Sequence, residues 1–157
     1  MQATALKFTG LIVTGLLAGV FIYALINVVP AFYEVPISVH IIFRTQLMNH
    51  NGIVMPILMG LGMITPLWYA LLTRHYPAVR DFAILSACLA LITFLITRFG
   101  NVPINQMIRT WSPTEPPADW KSILSAWNTF HLIRTLTALA CFVTSIISTH
   151  FFSIKEV

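Results

Sequence analysis

FTGLIVTGLLAGVFIYALINVVPAFY, residues 8–33, runs for 26 positions without a charged side chain. A helix needs about 20 apolar residues to cross a hydrocarbon core of about 30 Å, so this stretch reads as a transmembrane helix. It is too long for the apolar heart of a signal peptide and no small-residue cleavage site follows, so it is expected to remain as helix one. Gly15 and Gly19, four residues apart, would let a neighbouring helix come close.

Three further uncharged runs follow: Thr45–Thr73, Phe82–Thr97 and Thr135–Ile154, of 29, 16 and 20 residues. The 16-residue run reaches only about 24 Å at about 1.5 Å per residue, so Arg98 is expected at the membrane edge, inside the helix. The expectation is an all-α integral membrane four-helix bundle, one transmembrane domain over residues 1–157. Its spans are placed at approximately 9–32, 51–73, 79–99 and 129–152. Pro56 falls in the first turn of helix two, and Pro66 should kink that helix.

Composition agrees. Of the 157 residues, 57% are hydrophobic and 9% charged, against roughly 25% charged in soluble domains; mean hydropathy is +0.83. A soluble enzyme and a disordered tail are both excluded. The net charge of +4 is spread singly over the ends of apolar runs, as membrane proteins place it. It forms no basic stripe, so no nucleic-acid partner is expected. The solvent is the lipid bilayer. The charge bias weakly places both termini inside, and the cell (inner) membrane is the expected location, multi-pass. Cys88 and Cys141 lie in apolar runs and read as small buried thiols.

Two connections stand apart. Glu34–Arg44 and the residues after it are too apolar for a solvated loop and read as a short amphipathic segment after helix one, on or dipping into the membrane. His40 and Arg44, spaced i, i+4, could share one of its faces. The other connection, Arg98–Arg134, is a long polar loop between helices three and four holding three of the four tryptophans.

Polar groups at membrane depth are costly and point to function. Asn101-Val-Pro-Ile-Asn105 places two amides around Pro103, which should force a break. The amides are then free to hold a ligand, or they simply cap the helix ends. On helix four, Trp127, His131 and Arg134 fall within about 60° of one another at about 100° per residue, in a stretch otherwise apolar on every side. They face the bundle, or Arg134 snorkels to the headgroups. His50 and His131 could ligate haem or a metal ion. A non-catalytic small subunit, its polar cluster locking the bundle, is the third reading.

The residues Asn101-Val-Pro-Ile-Asn105, then Trp111, then Trp127-x₃-His131-x₂-Arg134-Thr135 resemble the anthrone-oxygenase-like family of small four-helix membrane proteins. That resemblance implies a monooxygenase-type oxidoreductase acting on a hydrophobic aromatic small molecule with O₂, with no cofactor expected. In that chemistry an enolisable carbon loses a proton and its anion reacts with oxygen directly. His131 would be the base and Arg134 would stabilise the enolate or a developing superoxide. Asn101 and Asn105 would orient oxygens, while Trp127 and Trp111 stack on the rings and Arg98 completes the substrate site. A homo-oligomer stays open.

Overall fold

The computed structural model describes residues 2–155. Among them four helices are long and apolar enough to cross a membrane: α1 (Gln2–Tyr33), α2 (Ile37–Leu72), α3 (Pro77–Ile108) and α4 (Trp120–Lys155). No strand occurs among the described residues. Each helix packs on its chain neighbour and α4 closes against α1, giving an up-down-up-down bundle. The protein is an integral, multi-pass membrane protein. Its outer surface carries Ile12, Leu16, Ile53, Ile57, Leu71, Leu136 and many like them, all exposed. Water would penalise such a surface; hydrocarbon is its natural solvent.

With no hydrophobic drive between helices in lipid, association rests on close packing and hydrogen bonds. Leu17 and Phe21 of α1, Met59 of α2 and Ala138 of α4 form one buried cluster. Between α3 and α4 the contact is hydroxylic. Ser86 Oγ bonds Ser145 Oγ at 2.7 Å and the Cys141 carbonyl at 3.0 Å, Thr93 meets Thr137 at 2.8 Å, and Ser148 donates to the Val79 carbonyl at 2.7 Å. Bonds of this kind contribute about 0.6 kcal/mol each on average. Cys141 is buried, Cys88 is exposed, and both are free thiols.

The elements differ from the sequence expectation at three points. First, the segment after helix one is helical but is no separate element: α2 starts at Ile37 and runs unbroken through Pro56 and Pro66 to Leu72. Pro36, with extended backbone (φ −54°, ψ 144°), sets its start. No glycine or proline follows until Gly52, so nothing stops the helix before the span. Second, the polar connection shrinks to residues 109–119, because α3 continues past Arg98 to Ile108 and α4 starts at Trp120.

Third, Pro103 breaks nothing. Residues Thr97–Asn101 form a π-helical turn, in which the Val102 N–H bonds the Thr97 carbonyl five residues back. The helix resumes through Val102–Ile108. Helix α1 repeats the device: Ala24–Val28 is π-helical, and the Val29 N–H bonds the Ala24 carbonyl. Each π turn ends two residues before a proline, Pro30 or Pro103. A proline ring crowds the carbonyl four residues back, and adding one residue to the preceding turn relieves the clash without ending the helix.

Small residues are needed where α3 meets α4. A Cβ on Gly100 would stand 2.6 Å from Cγ and Cδ1 of Phe130, atoms at the root of the ring that rotation cannot clear. Gly100→Ala should therefore destabilise the bundle by about 1–3 kcal/mol, read as a lowered melting temperature in detergent. Adding Phe130→Ala should recover part of the loss. A Gly100→Ala protein that melts with the wild type would refute this contact. On α1, a Cβ at Gly15 would come within 3.1 Å of Phe142, but one at Gly19 would meet nothing within 4 Å. Only Gly15 of that pair is used for close packing.

Candidate active site

Both π turns open onto one cavity of about 380 Å³, in the size class that takes a small-molecule ligand. Ala24 and Val28 line it from α1, and Thr97 and Arg98 line it from α3. It occupies the end of the bundle where α1 turns into α2 and α3 runs into the 109–119 connection. Phe21, Phe32, Met48, Met55, Met59 and Phe94 give it apolar walls. Its polar lining is unbalanced. Arg44, Arg98, Arg109 and Arg134 all contribute, and no acidic residue among the described residues does.

Two of these arginines are deep: Arg44 is 4% exposed and Arg134 9%. A charge taken out of water costs several kcal/mol even after relaxation, so each must find partners. Neither finds a carboxylate among the described residues. Each finds a histidine on its own helix and aromatic faces instead. Arg134 Nε donates to His131 Nδ1 at 3.1 Å, and Nη1 reaches Thr97 Oγ1 at 3.4 Å. Arg44 Nη1 bonds His40 Nε2 at 3.2 Å. The Arg134 guanidinium carbon lies 4.6 Å from the Phe21 ring centroid and 5.3 Å from that of Trp127. That of Arg44 lies 4.1 Å from Trp127 and 5.7 Å from Phe32. Both cations thus lean on the same indole, and desolvated contacts of this kind reach about 2 kcal/mol. Arg44 Nη2 stays buried without a partner.

The histidine tautomers follow from the donors. A guanidinium has only N–H groups to offer, so the nitrogen it meets must accept. His131 therefore accepts at Nδ1, and in the neutral ring its proton sits on Nε2. That Nε2 is buried with no partner, and the ring is fully enclosed among Phe21, at a centroid distance of 6.0 Å, and Trp127, at 4.9 Å. His40 accepts at Nε2 by the same logic, and its ring stacks on Phe32 at 4.7 Å.

The two asparagines hold Trp127. Asn105 Oδ1 accepts from the indole N–H at 2.8 Å, and Asn101 Nδ2 donates to the Trp127 carbonyl at 3.0 Å. Their spacing of four residues puts both amides on one face of α3, at and just after the end of the π turn Thr97–Asn101. Asn105 lines the cavity; Asn101 is fully buried behind it.

Of the residues singled out in the sequence, the structure brings His131, Arg134, Asn105, Trp127 and Arg98 to the cavity wall. Trp111 lies elsewhere, packed against Met48, Ile108 and Leu124 under the end of the bundle. His50 is exposed and outside the lining, so the cavity does not bring it together with His131. No group of three or more His, Cys, Asp and Glu converges among the described residues. Sequence reasoning did not assign a site role to Arg44, His40 or Arg109. The signal existed: His40-x₃-Arg44 on α2 mirrors His131-x₂-Arg134 on α4, each a histidine beside a buried arginine.

A family described as anthrone oxygenase matches residues 45–144. The chain belongs to the anthrone oxygenase family. The matched stretch contains Asn101, Asn105, Trp127, His131 and Arg134, while His40, Arg44 and the aromatic wall from α1 precede it. No curated protein and no solved structure matches the chain. As a member of the anthrone oxygenase family the protein is anthrone-oxygenase-like.

Proposed function

We propose that the protein is a membrane-embedded, oxygen-dependent oxidoreductase that binds a flat, enolisable aromatic compound as its anion. One observation carries this reading: two buried guanidiniums share an aromatic-walled cavity with no carboxylate among the described residues to neutralise them. The missing negative charge is supplied by the ligand. Apolar walls and the Trp127 ring suit a polycyclic aromatic, and stacked aromatic contacts add about 0.5–1.5 kcal/mol beyond area burial.

The reaction runs as follows. The activated CH₂ of the substrate loses one proton to bulk water at the cavity opening, before the ring is enclosed, and its electron pair spreads onto the ring oxygen as an enolate. Arg134 and Arg44 supply preorganised positive charge for that oxygen in a dry site, and the Nε2–H of His131, covered by Phe21 and Trp127 until the ligand displaces them, supplies a hydrogen bond. The carbanionic carbon then gives its electrons to O₂. A C–O bond forms, and protonation of the distal oxygen yields a hydroperoxide. Loss of the remaining C–H proton with departure of hydroxide leaves a ketone and one water. The substrate carbon is oxidised by four electrons and one O₂ is reduced. These steps take all their electrons from the substrate.

His131 has a changed role in this reading. From sequence it is the base, but a base needs a lone pair on the ligand side. With Nδ1 accepting from Arg134, the ring offers a proton instead. The protein promotes ionisation by stabilising the anion. The location proposed is the cell (inner) membrane, where both the aromatic substrate and O₂ partition into the apolar phase.

The test is oxygen uptake by the purified protein in nanodiscs supplied with a hydroxylated anthrone. Uptake above the protein-free rate, one O₂ per ketone formed, is expected. A rate equal to the protein-free control, with folded protein present, overturns the reading.

A further inference from the structure

We propose that the substrate carries a second anionic group, a carboxylate remote from the carbon that is oxidised, received by Arg98 and Arg109 at a side opening of the cavity between α2 and α3. The proposal rests on the function proposed above and adds the substrate class. An enolate brings one negative charge, and the deep pair Arg44 and Arg134 already faces it. Two more arginines line the same cavity, again with no acidic lining residue among those described.

Their placement differs from that of the deep pair. Arg98, Val102, Asn105, Gln106 and Arg109 all line the cavity, and spacings of four, three, one and three put them on one face of α3. Arg98, Gln106 and Arg109 are exposed as well. Facing them, Asn51, Gly52 and Pro56 of α2 both line the cavity and are exposed. A Cβ on Gly52 would meet nothing within 4 Å. Residues that line an interior space and are also exposed, on two neighbouring helices, mark where that space opens. The opening is thus framed by two cations and an amide on α3 and by small or uncharged residues on α2. A planar acid would enter ring first, its enolisable end reaching Trp127 and its carboxylate left among the guanidiniums, which bind carboxylates in bidentate fashion. The competing use of such arginines is to hold lipid phosphates, and the experiment separates the two.

The wild type and an R98Q/R109Q variant are placed in phosphatidylcholine nanodiscs. Each is given a dihydroxyanthrone and the same ring bearing a carboxylate. Turnover is followed by oxygen uptake, and binding by anaerobic quenching of tryptophan fluorescence. The carboxylated compound should show a kcat/KM and an affinity at least about tenfold higher in the wild type, as expected for a charge-assisted bond. In the variant the ratio should fall to about one. Equal values for the two compounds in the wild type overturn the proposal and leave the oxidation reading standing. So does a preference that survives R98Q/R109Q. Melts are repeated in phosphatidylglycerol nanodiscs. A wild type stabilised by that lipid, with R98Q/R109Q keeping the preference but losing the stabilisation, would overturn the proposal and assign the arginines to headgroups instead. Absence of turnover with an arginine-dependent binding preference would support the carboxylate site and defeat the oxidation reading.

Discussion

Arg134→Met should cost about 10²–10³ in turnover, the usual loss for one preorganised oxyanion partner, while the bundle melts at the same temperature or higher. The two halves of this expectation come from the same fact. Arg134 is buried with no carboxylate partner among the described residues, so the fold bears its desolvation. Replacing buried charges by apolar residues of similar volume is often neutral, or stabilising by about 1–4 kcal/mol. Against that, the variant loses the bond to His131 Nδ1, and a buried acceptor left unpaired costs about 1–3 kcal/mol. The two effects are similar in size, so the melting temperature is expected to hold. Thermal melts and oxygen uptake on one preparation decide. If stability and turnover fall together, Arg134 is a structural lock, and the loss of activity says nothing about anion binding.

The second large effect separates two roles for His131. His131→Ala should lower turnover by about 10²-fold or more, and His131→Gln, which can place an N–H near the former Nε2, should recover at least about tenfold of that. Raising the pH should narrow the ratio of wild type to variant only until the free compound is itself ionised. The remainder should persist above that point, since the donor still holds the bound anion. A general base predicts otherwise. Glutamine would then be as poor as alanine, and raising pH would rescue both, because hydroxide takes over the proton transfer that a base accelerates by typically 10²–10⁴-fold. Turnover of the three proteins across pH, with the folded fraction checked at each point, distinguishes them.

Much of this was legible in the sequence, because lipid as solvent leaves few choices: long uncharged runs must be spanning helices. The Trp127, His131 and Arg134 face followed from helical period alone, and the cavity wall contains all three. The misreadings share a cause. Read with its soluble-protein meaning, proline makes Pro103 a break and Arg98–Arg134 a long loop. In a long apolar helix the backbone groups freed by proline are absorbed by a widened turn, as at Thr97–Asn101 and again at Ala24–Val28. Residues of both widened turns line the cavity. Arg44 escaped assignment because its segment read as amphipathic and superficial. Only the continuity of α2 from Ile37 carries it beside Trp127, and no local pattern announces a contact between residues 44 and 127.

The central claim is that the cavity holds its substrate as an anion through Arg44, Arg134 and His131. Anaerobic difference spectroscopy tests it without relying on the oxygen step. A hydroxylated anthrone is titrated into the protein at a pH where the free compound is un-ionised. The account predicts that the red-shifted enolate absorption appears in proportion to protein, and that R44M/R134M protein abolishes it. Binding of the compound in its neutral form, with no enolate band in the wild type, would contradict the account.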